Sequence, residues 1–348
     1  MALVLEVATE RWRAHLTRVM AAPDHVRVIP VGKGNGYGLG LPRLAREAST
    51  HKAATFAVGL IEEISQVSPH FDGDILVMNA SPDPLGALTA TEIPEQVVHT
   101  VSRVADLEML ADSPARPRVV VELLTSMKRH GIALAELPRV APLLGKVRFE
   151  GWSLHLPLGR GLLDEALTLS RAALSVPSGQ ARPQIWVSHL GTDQAASLAA
   201  ATGADVQLRT GTELWLGDRT ALRPRASVLD VHRVERGERI GYRQVRPGAG
   251  TALIVAGGTA NGIGMVAPSA MSGMRSRAAA VARAGLEAAG RLRSPYRIGS
   301  RRLEFVEPPH MQASMVWLPS STTPPAVGSE LDLDVRFTTT GFDDIQFQ

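Results

Sequence analysis

The sequence predicts an α/β chain, a (β/α)₈ barrel over residues 1–222 followed by a mostly β domain over 223–348. Three observations carry this. Eight short apolar runs alternate with helical patterns over about 190 residues, as such a barrel requires. Near Arg223-Pro224 the alternation stops, and strand-like runs follow one another through Gly- and Arg-rich turns. The first barrel strand leads into a loop with glycine at every second position from Gly32 to Gly40 and a single lysine, Lys33, among them.

Taken in order, Leu5, Ala8, Trp12, Leu16 and Met20 recur near helical spacing and predict a helix over 3–20, ended by Pro23-Asp24. The expected barrel strands are 26–31, 55–59, 74–79, 97–101, 118–124, 147–154, 184–188 and 204–208. Helices are expected at 41–50, 61–67, 103–111, 162–173 and 193–202, and 82–95 reads as Pro-rich and irregular. A doubly wound sheet competes, but eight even units and the lack of Gly-x-Gly-x-x-Gly after a strand argue against it. In the second domain 226–234, 239–244, 251–256, 303–305, 314–318 and 331–337 read as strands. An Ala- and Leu-rich stretch predicts a helical insertion at about 270–292.

The 348 residues, 45% of them hydrophobic, suit one large domain and a second. With no cysteine, disulfides, thiolate metal sites and a cysteine nucleophile are excluded. Glu6 and Glu10 come too early for a signal peptide, and no apolar run reaches membrane-spanning length, so a cytoplasmic protein without membrane contact is expected. A net charge of +3 with interspersed acids does not suggest a nucleic-acid surface. Lys33, leaving a strand among glycines that permit close backbone approach, is placed to form a Schiff base. A surface lysine in a flexible turn is the competing reading.

The stretch Lys33-Gly-Asn-Gly-Tyr-Gly-Leu-Gly40 resembles the cofactor-lysine motif of the alanine racemases, and later segments repeat the resemblance in order. The resemblance implies a fold-type III enzyme, a barrel with a β domain, in which Lys33 binds pyridoxal phosphate and Tyr37 donates to its phosphate. Thr125, Met127, Arg129 and Gly131 match a second segment, which gives Arg129 a role beside the cofactor's phenolic oxygen and the substrate carboxylate. Glu122 stands where many members carry a carbamylated lysine, and is expected to hold Arg129 directly. His155 inherits the place against the cofactor ring. Thr192, Gly211 and Thr212 fall on phosphate-binding positions, and Arg209 on the arginine that donates to the pyridine nitrogen. In Arg239-Ile-Gly-Tyr242, Tyr242 matches the second catalytic base, which acts on the partner subunit's cofactor.

Some positions depart from the pattern. Thr259 replaces a phosphate-reaching tyrosine and Asn261 an aspartate. In Ser314-Met315-Val316, Met315 keeps the position that holds the substrate carboxylate, whereas Val316 replaces an acid and leaves room for a bulkier apolar substrate. The resemblance thus implies a two-base racemase of alanine or another small or medium neutral amino acid, working as a homodimer with shared active sites. A non-catalytic pyridoxal-phosphate-binding homologue is one alternative. Another is a different pyridoxal-phosphate enzyme such as a decarboxylase, although the related decarboxylases usually carry a catalytic cysteine that this chain lacks.

Overall fold

A computed structural model describes residues 2–265 and 292–348. The chain divides into two compact units, Arg13–Gly217 and a second made of Met1–Trp12 with Asp218–Gln348. The second unit thus includes the N-terminal residues, which had been expected to join the barrel. Residues 3–20 are not one helix. Leu3–Val7 is a strand, β1, and the helix runs Thr9–Met20. Four of the five β1 residues are buried and Glu6 is half-buried. A strand covered on both faces shows no period-two alternation, so its leucines also fit helical spacing. The helical reading holds from Thr9, where Trp12 and Leu16, four apart, are fully buried.

The unit Arg13–Gly217 is an eight-stranded parallel barrel. Its strands are β2 (Val26–Pro30), β3 (Thr55–Val58), β4 (Asp74–Val77), β5 (Val97–Val101), β6 (Arg118–Leu123), β7 (Arg148–Leu154), β8 (Gln184–Ser188) and β9 (Asp205–Thr210). They lie in the order β2-β9-β8-β7-β6-β5-β4-β3. A single parallel bridge, Val31 to Ala57, links β2 toward β3 and nearly closes the ring. Alternate strand residues fill the interior: Ile29, Val31, Ala57, Leu76, Val98, Val120 and Trp186 form one buried cluster. Their neighbours on the outer face, such as Val101, Val119, Val121 and Val187, pack in a second cluster with helix residues Leu107, Ala166 and Leu198. This double burial explains why the strands read as continuous apolar runs. The segment expected as helix 61–67 is a 3₁₀ turn, Ile61–Glu63, followed by one α turn, Ile64–Val67. The irregular stretch contains a short helix, Pro84–Thr89, with Asp83 accepting from Gly86 N at its start. The last strand runs two residues beyond its expected end, to Thr210, which puts Arg209 on the strand itself.

The second unit is a mostly antiparallel sheet. It comprises β1, β10 (Leu222–Val234), β11 (Gly250–Ala256), β12 (Leu292–Ile298), β13 (Arg301–Phe305), β14 (Ala313–Pro319), β15 (Glu330–Leu333) and β16 (Asp344–Phe347). The order is β11-β14-β13-β12-β15-β10-β1-β16, and β10 also pairs with β11. β1 lies between β10, antiparallel, and β16, parallel. On β14 the burial alternates: Ser314, Val316 and Leu318 face inward to a core shared with Leu253, Val255, Tyr296 and Phe305. The expected strand 239–244 is a turn closed by an Ile240–Val245 bridge. The strand expected at 331–337 ends at Leu333. The helical insertion expected at about 270–292 lies outside the described residues, apart from Leu292, which opens β12.

Candidate active site

The barrel candidates sit at or just beyond the carboxyl ends of its strands, where barrel active sites are built. After β2, Val31 N donates to Thr210 O (3.0 Å) and Gly32 N to Ala57 O (2.9 Å), so the Lys33 loop springs from a fixed base. Its path needs left-handed backbone at Tyr37 (φ 56°). Gly36 is required by close approach, because a Cβ there would lie 2.7 Å from Leu41 N. This turn buries the Tyr37 ring and brings its hydroxyl against the backbone of Gly211, where any side chain would collide with the phenol oxygen. Burial, aided by the Glu63 charge, pushes Tyr37 up to about 12, so the group remains a donor near neutral pH.

Glu63 was not among the residues singled out from sequence. Its carboxylate accepts from Gly34 N (2.6 Å), Gly59 N (2.7 Å) and Leu60 N (3.1 Å), and so ties the Lys33 loop to the end of β3. Lys33 itself is exposed. Its amine is drawn below the ordinary lysine range, first by desolvation and then by the Arg129 and Arg209 charges, with Glu63 acting in the opposite sense.

Four further candidates come together electrostatically. Arg209, on β9, is 5% exposed, and its Nη2 donates to Leu154 O (2.8 Å) while its Nε has no partner among the described residues. Burial depresses Arg209 to about 10, opposed by Glu122 and assisted by Arg129. Burial raises the Glu122 carboxyl, and Arg209, ahead of His130 and Arg129, is the largest charge opposing that rise. Among the described residues no hydrogen bond or ion pair joins Glu122 to Arg129. Glu122 is therefore a buried counter-charge coupled first to Arg209, because it lies on β6 within the barrel, whereas Arg129 is exposed on the loop beyond.

His155 follows β7. Its Nδ1 lies 3.1 Å from Ser188 Oγ, and its ring is 5.1 Å from that of His189. Thr125 Oγ1 donates to the His155 carbonyl (2.8 Å) and fixes that strand end. Desolvation, followed by Arg209 and Arg129, pushes His155 down to about 3, so its ring is neutral at physiological pH. Thr192 opens the helix Thr192–Thr202, and Thr212 follows Gly211 at the start of Thr212–Leu216.

The remaining candidates belong to the β unit. Tyr242 is 86% exposed at the tip of its turn. Thr259 is exposed in a 3₁₀ turn, and Met315 is half-buried on the opposite face of β14 from Val316. Two of the departures have a structural basis there. Val316 is fully buried in the sheet core, so it does not open space for a substrate as expected. Asn261 donates from Nδ2 to Gly341 O (3.1 Å) and Asp343 Oδ1 (3.0 Å), and its Oδ1 accepts from Gly258 N (3.2 Å). An amide supplies both polarities beside Asp343, which a carboxylate does not.

Residues 7–175 match the family model described as the alanine racemase N-terminal domain. A search of curated proteins by sequence found no match. Among solved structures, the alanine racemase from E. faecalis is 17% identical, with a TM-score of 0.72 over 99% of this chain and 98% of that one. The alanine racemase from Bartonella henselae, solved with covalently bound pyridoxal phosphate, is 16% identical, with a TM-score of 0.72 over 98% of each chain. The enzyme from Corynebacterium glutamicum is 15% identical, with a TM-score of 0.69 over 99% and 98%. At these identities the structural likeness shows the fold, and the sequence match to the alanine racemase N-terminal domain is confined to residues 7–175, just under half of the chain.

Proposed function

We propose that the chain is a pyridoxal-phosphate-dependent racemase of a small or medium neutral amino acid, acting in the cytoplasm as a homodimer with shared sites. The observation that carries this reading is the convergence of Lys33, Tyr37 with Gly211, His155 and Arg209 at one end of the barrel. The donor set fits the cofactor. Arg209 holds a buried Nε–H without an acceptor among the described residues, a defect worth about 1–3 kcal/mol unless a ligand atom meets it. The bare backbone of Gly211, beside the Tyr37 hydroxyl and the start of Thr212–Leu216, suits a phosphate. In this reading Lys33 would anchor the cofactor; Tyr37, Thr192, Gly211, Thr212 and Thr259 would hold its phosphate; and Arg209 would donate to its ring nitrogen. His155 would lie against the ring as a neutral imidazole, and Arg129 and Met315 would hold the substrate carboxylate.

Bound pyridoxal phosphate supplies the electron sink that acidifies an amino acid's α-hydrogen. The chain supplies the rest. Lys33, drawn toward its neutral form, takes or returns a proton on one face of the α-carbon, and the partner's Tyr242 does so on the other. Arg129 orients the carboxylate with a guanidinium that stays charged. Glu122 places a negative charge near Arg209 and moderates the cost of burying it.

The departures at Asn261 and Val316 support catalysis over a non-catalytic reading, because a clasp and a core position account for them without loss of either base. The test begins with protein loaded with pyridoxal phosphate and offered a panel of amino acids. Racemisation with α-hydrogen exchange in deuterated water is expected, and borohydride reduction followed by peptide mapping is expected to find the cofactor on Lys33. A label on another lysine, or α-exchange with no amino acid of the panel, defeats the proposal.

A further inference from the structure

An 86% exposed tyrosine at a turn tip has no reason of its own to keep one orientation, yet the turn Gly241-Tyr242-Arg243 is held from below. Ile240 and Val245 close it with two backbone hydrogen bonds of 3.0 Å. Beneath it lies Glu307, 3% exposed. Its Oε1 accepts from Tyr242 N (3.2 Å) and its Oε2 from Arg243 N (3.2 Å). The same carboxylate meets His310 Nε2 at 2.8 Å. The Tyr242 ring in turn lies over the His310 ring, with centroids 4.8 Å apart and planes at 48°. Gly241 has φ +74°, and a Cβ there would lie 2.7 Å from the Glu307 carboxyl group. The glycine therefore lets the turn sit directly on the carboxylate.

We infer that Glu307 and His310 are positioning residues for Tyr242: the carboxylate fixes the turn through two amides and orients the imidazole, and the imidazole fixes the plane of the phenol ring. Burial alone would raise the Glu307 carboxyl, but the His310 hydrogen bond and the two amides outweigh it and hold the group below its ordinary range. The anion assigns the proton of His310 to Nε2 and so sets the ring's orientation. A proton-transferring group must be held within a fraction of an ångström of its productive geometry, and an exposed side chain reaches that only through such supports. The inference rests on the proposed role of Tyr242, and concerns how this chain keeps that base in place before a partner covers it.

Three variants of the loaded enzyme test it: Tyr242→Phe, Glu307→Gln and His310→Ala. Alpha-hydrogen exchange in deuterated water is followed separately for each enantiomer. His310→Ala is expected to lower inversion about tenfold or more and to slow exchange of one enantiomer, the one that Tyr242→Phe slows, while exchange served by Lys33 persists. A merely structural role would slow both alike. A second readout needs no cofactor: amide exchange at Tyr242 and Arg243 is expected to rise about tenfold in Glu307→Gln, the loss of a hydrogen bond worth roughly that factor. Should Glu307→Gln fail to fold, His310→Ala, at a half-buried site, decides alone. Normal inversion in His310→Ala alongside its loss in Tyr242→Phe overturns the inference and leaves the racemase reading intact, as does equal slowing of both enantiomers. Inversion untouched by Tyr242→Phe removes Tyr242 as a base, and the inference with it.

Discussion

Glu63 gives its carboxylate to three backbone amides on two loops, one of which carries Lys33. Hydrogen bonds to a charged group contribute more than neutral ones, so Glu63→Gln is expected to cost about 2–4 kcal/mol of stability, read as a lower melting temperature. The same change removes the negative charge that favours the protonated form of Lys33. The Lys33 amine should therefore lose its proton at lower pH, and the pH profile of its acylation, followed by peptide mapping, should shift down. An unmoved profile would mean that Glu63 is only a loop tie. Residues of this kind were not legible in the sequence. Lys33, Tyr37, Arg209 and Gly211 stand in local motifs with fixed spacing, so they were legible. Glu63 lies 29 residues from the amide it binds on the Lys33 loop, and Glu307 lies 65 from Tyr242 N. A carboxylate that accepts from backbone amides leaves no pattern in side-chain identity.

At the scale of elements, the barrel strands were legible because a short, continuous apolar run between two helical patterns fits a strand buried on both faces. β1 was not, since a strand buried on both faces but followed directly by a helix imitates that helix's first turns. Its placement explains Asn261. Asp343 accepts from Leu3 N (2.8 Å) through one oxygen and from Asn261 Nδ2 (3.0 Å) through the other. The start of β1, the turn after β11 and the segment before β16 are thus joined by one clasp. Placing an aspartate there with Asn261→Asp would set two carboxylates against each other at a site 8% exposed. The expected loss is about 1–3 kcal/mol at pH 7. It should shrink as pH falls, because the introduced carboxyl, with its folded pKa raised, regains a proton to donate to Asp343. Urea unfolding of wild type and variant at pH 7 and pH 5 measures the difference. Equal stability at both values would show that the amide is not what holds the clasp.

At the scale of the whole molecule, the proposed reaction divides its two bases between the units of the chain, Lys33 in Arg13–Gly217 and Tyr242 in the β unit. If the working site takes the lysine of one copy and the tyrosine of another, the assembly has a property that a self-contained chain lacks. Loaded wild-type protein should sediment at about twice the 37.1 kDa chain mass. Lys33→Ala alone and Tyr242→Phe alone should each lose most inversion, since every site in either homodimer lacks a base. A dimer formed from one chain of each kind has one doubly defective site and one intact site. Random reassembly of an equal mixture makes about half the dimers mixed, so about one quarter of wild-type inversion should return. The mixture must first be dissociated in mild denaturant and then reassociated, because undissociated homodimers would show nothing. Sites contained within single chains yield no recovery at any mixing ratio, because each chain still lacks one base. Recovery near one quarter that rises and falls with the fraction of mixed dimers therefore separates a shared site from a self-contained one, whatever side chain the substrate carries.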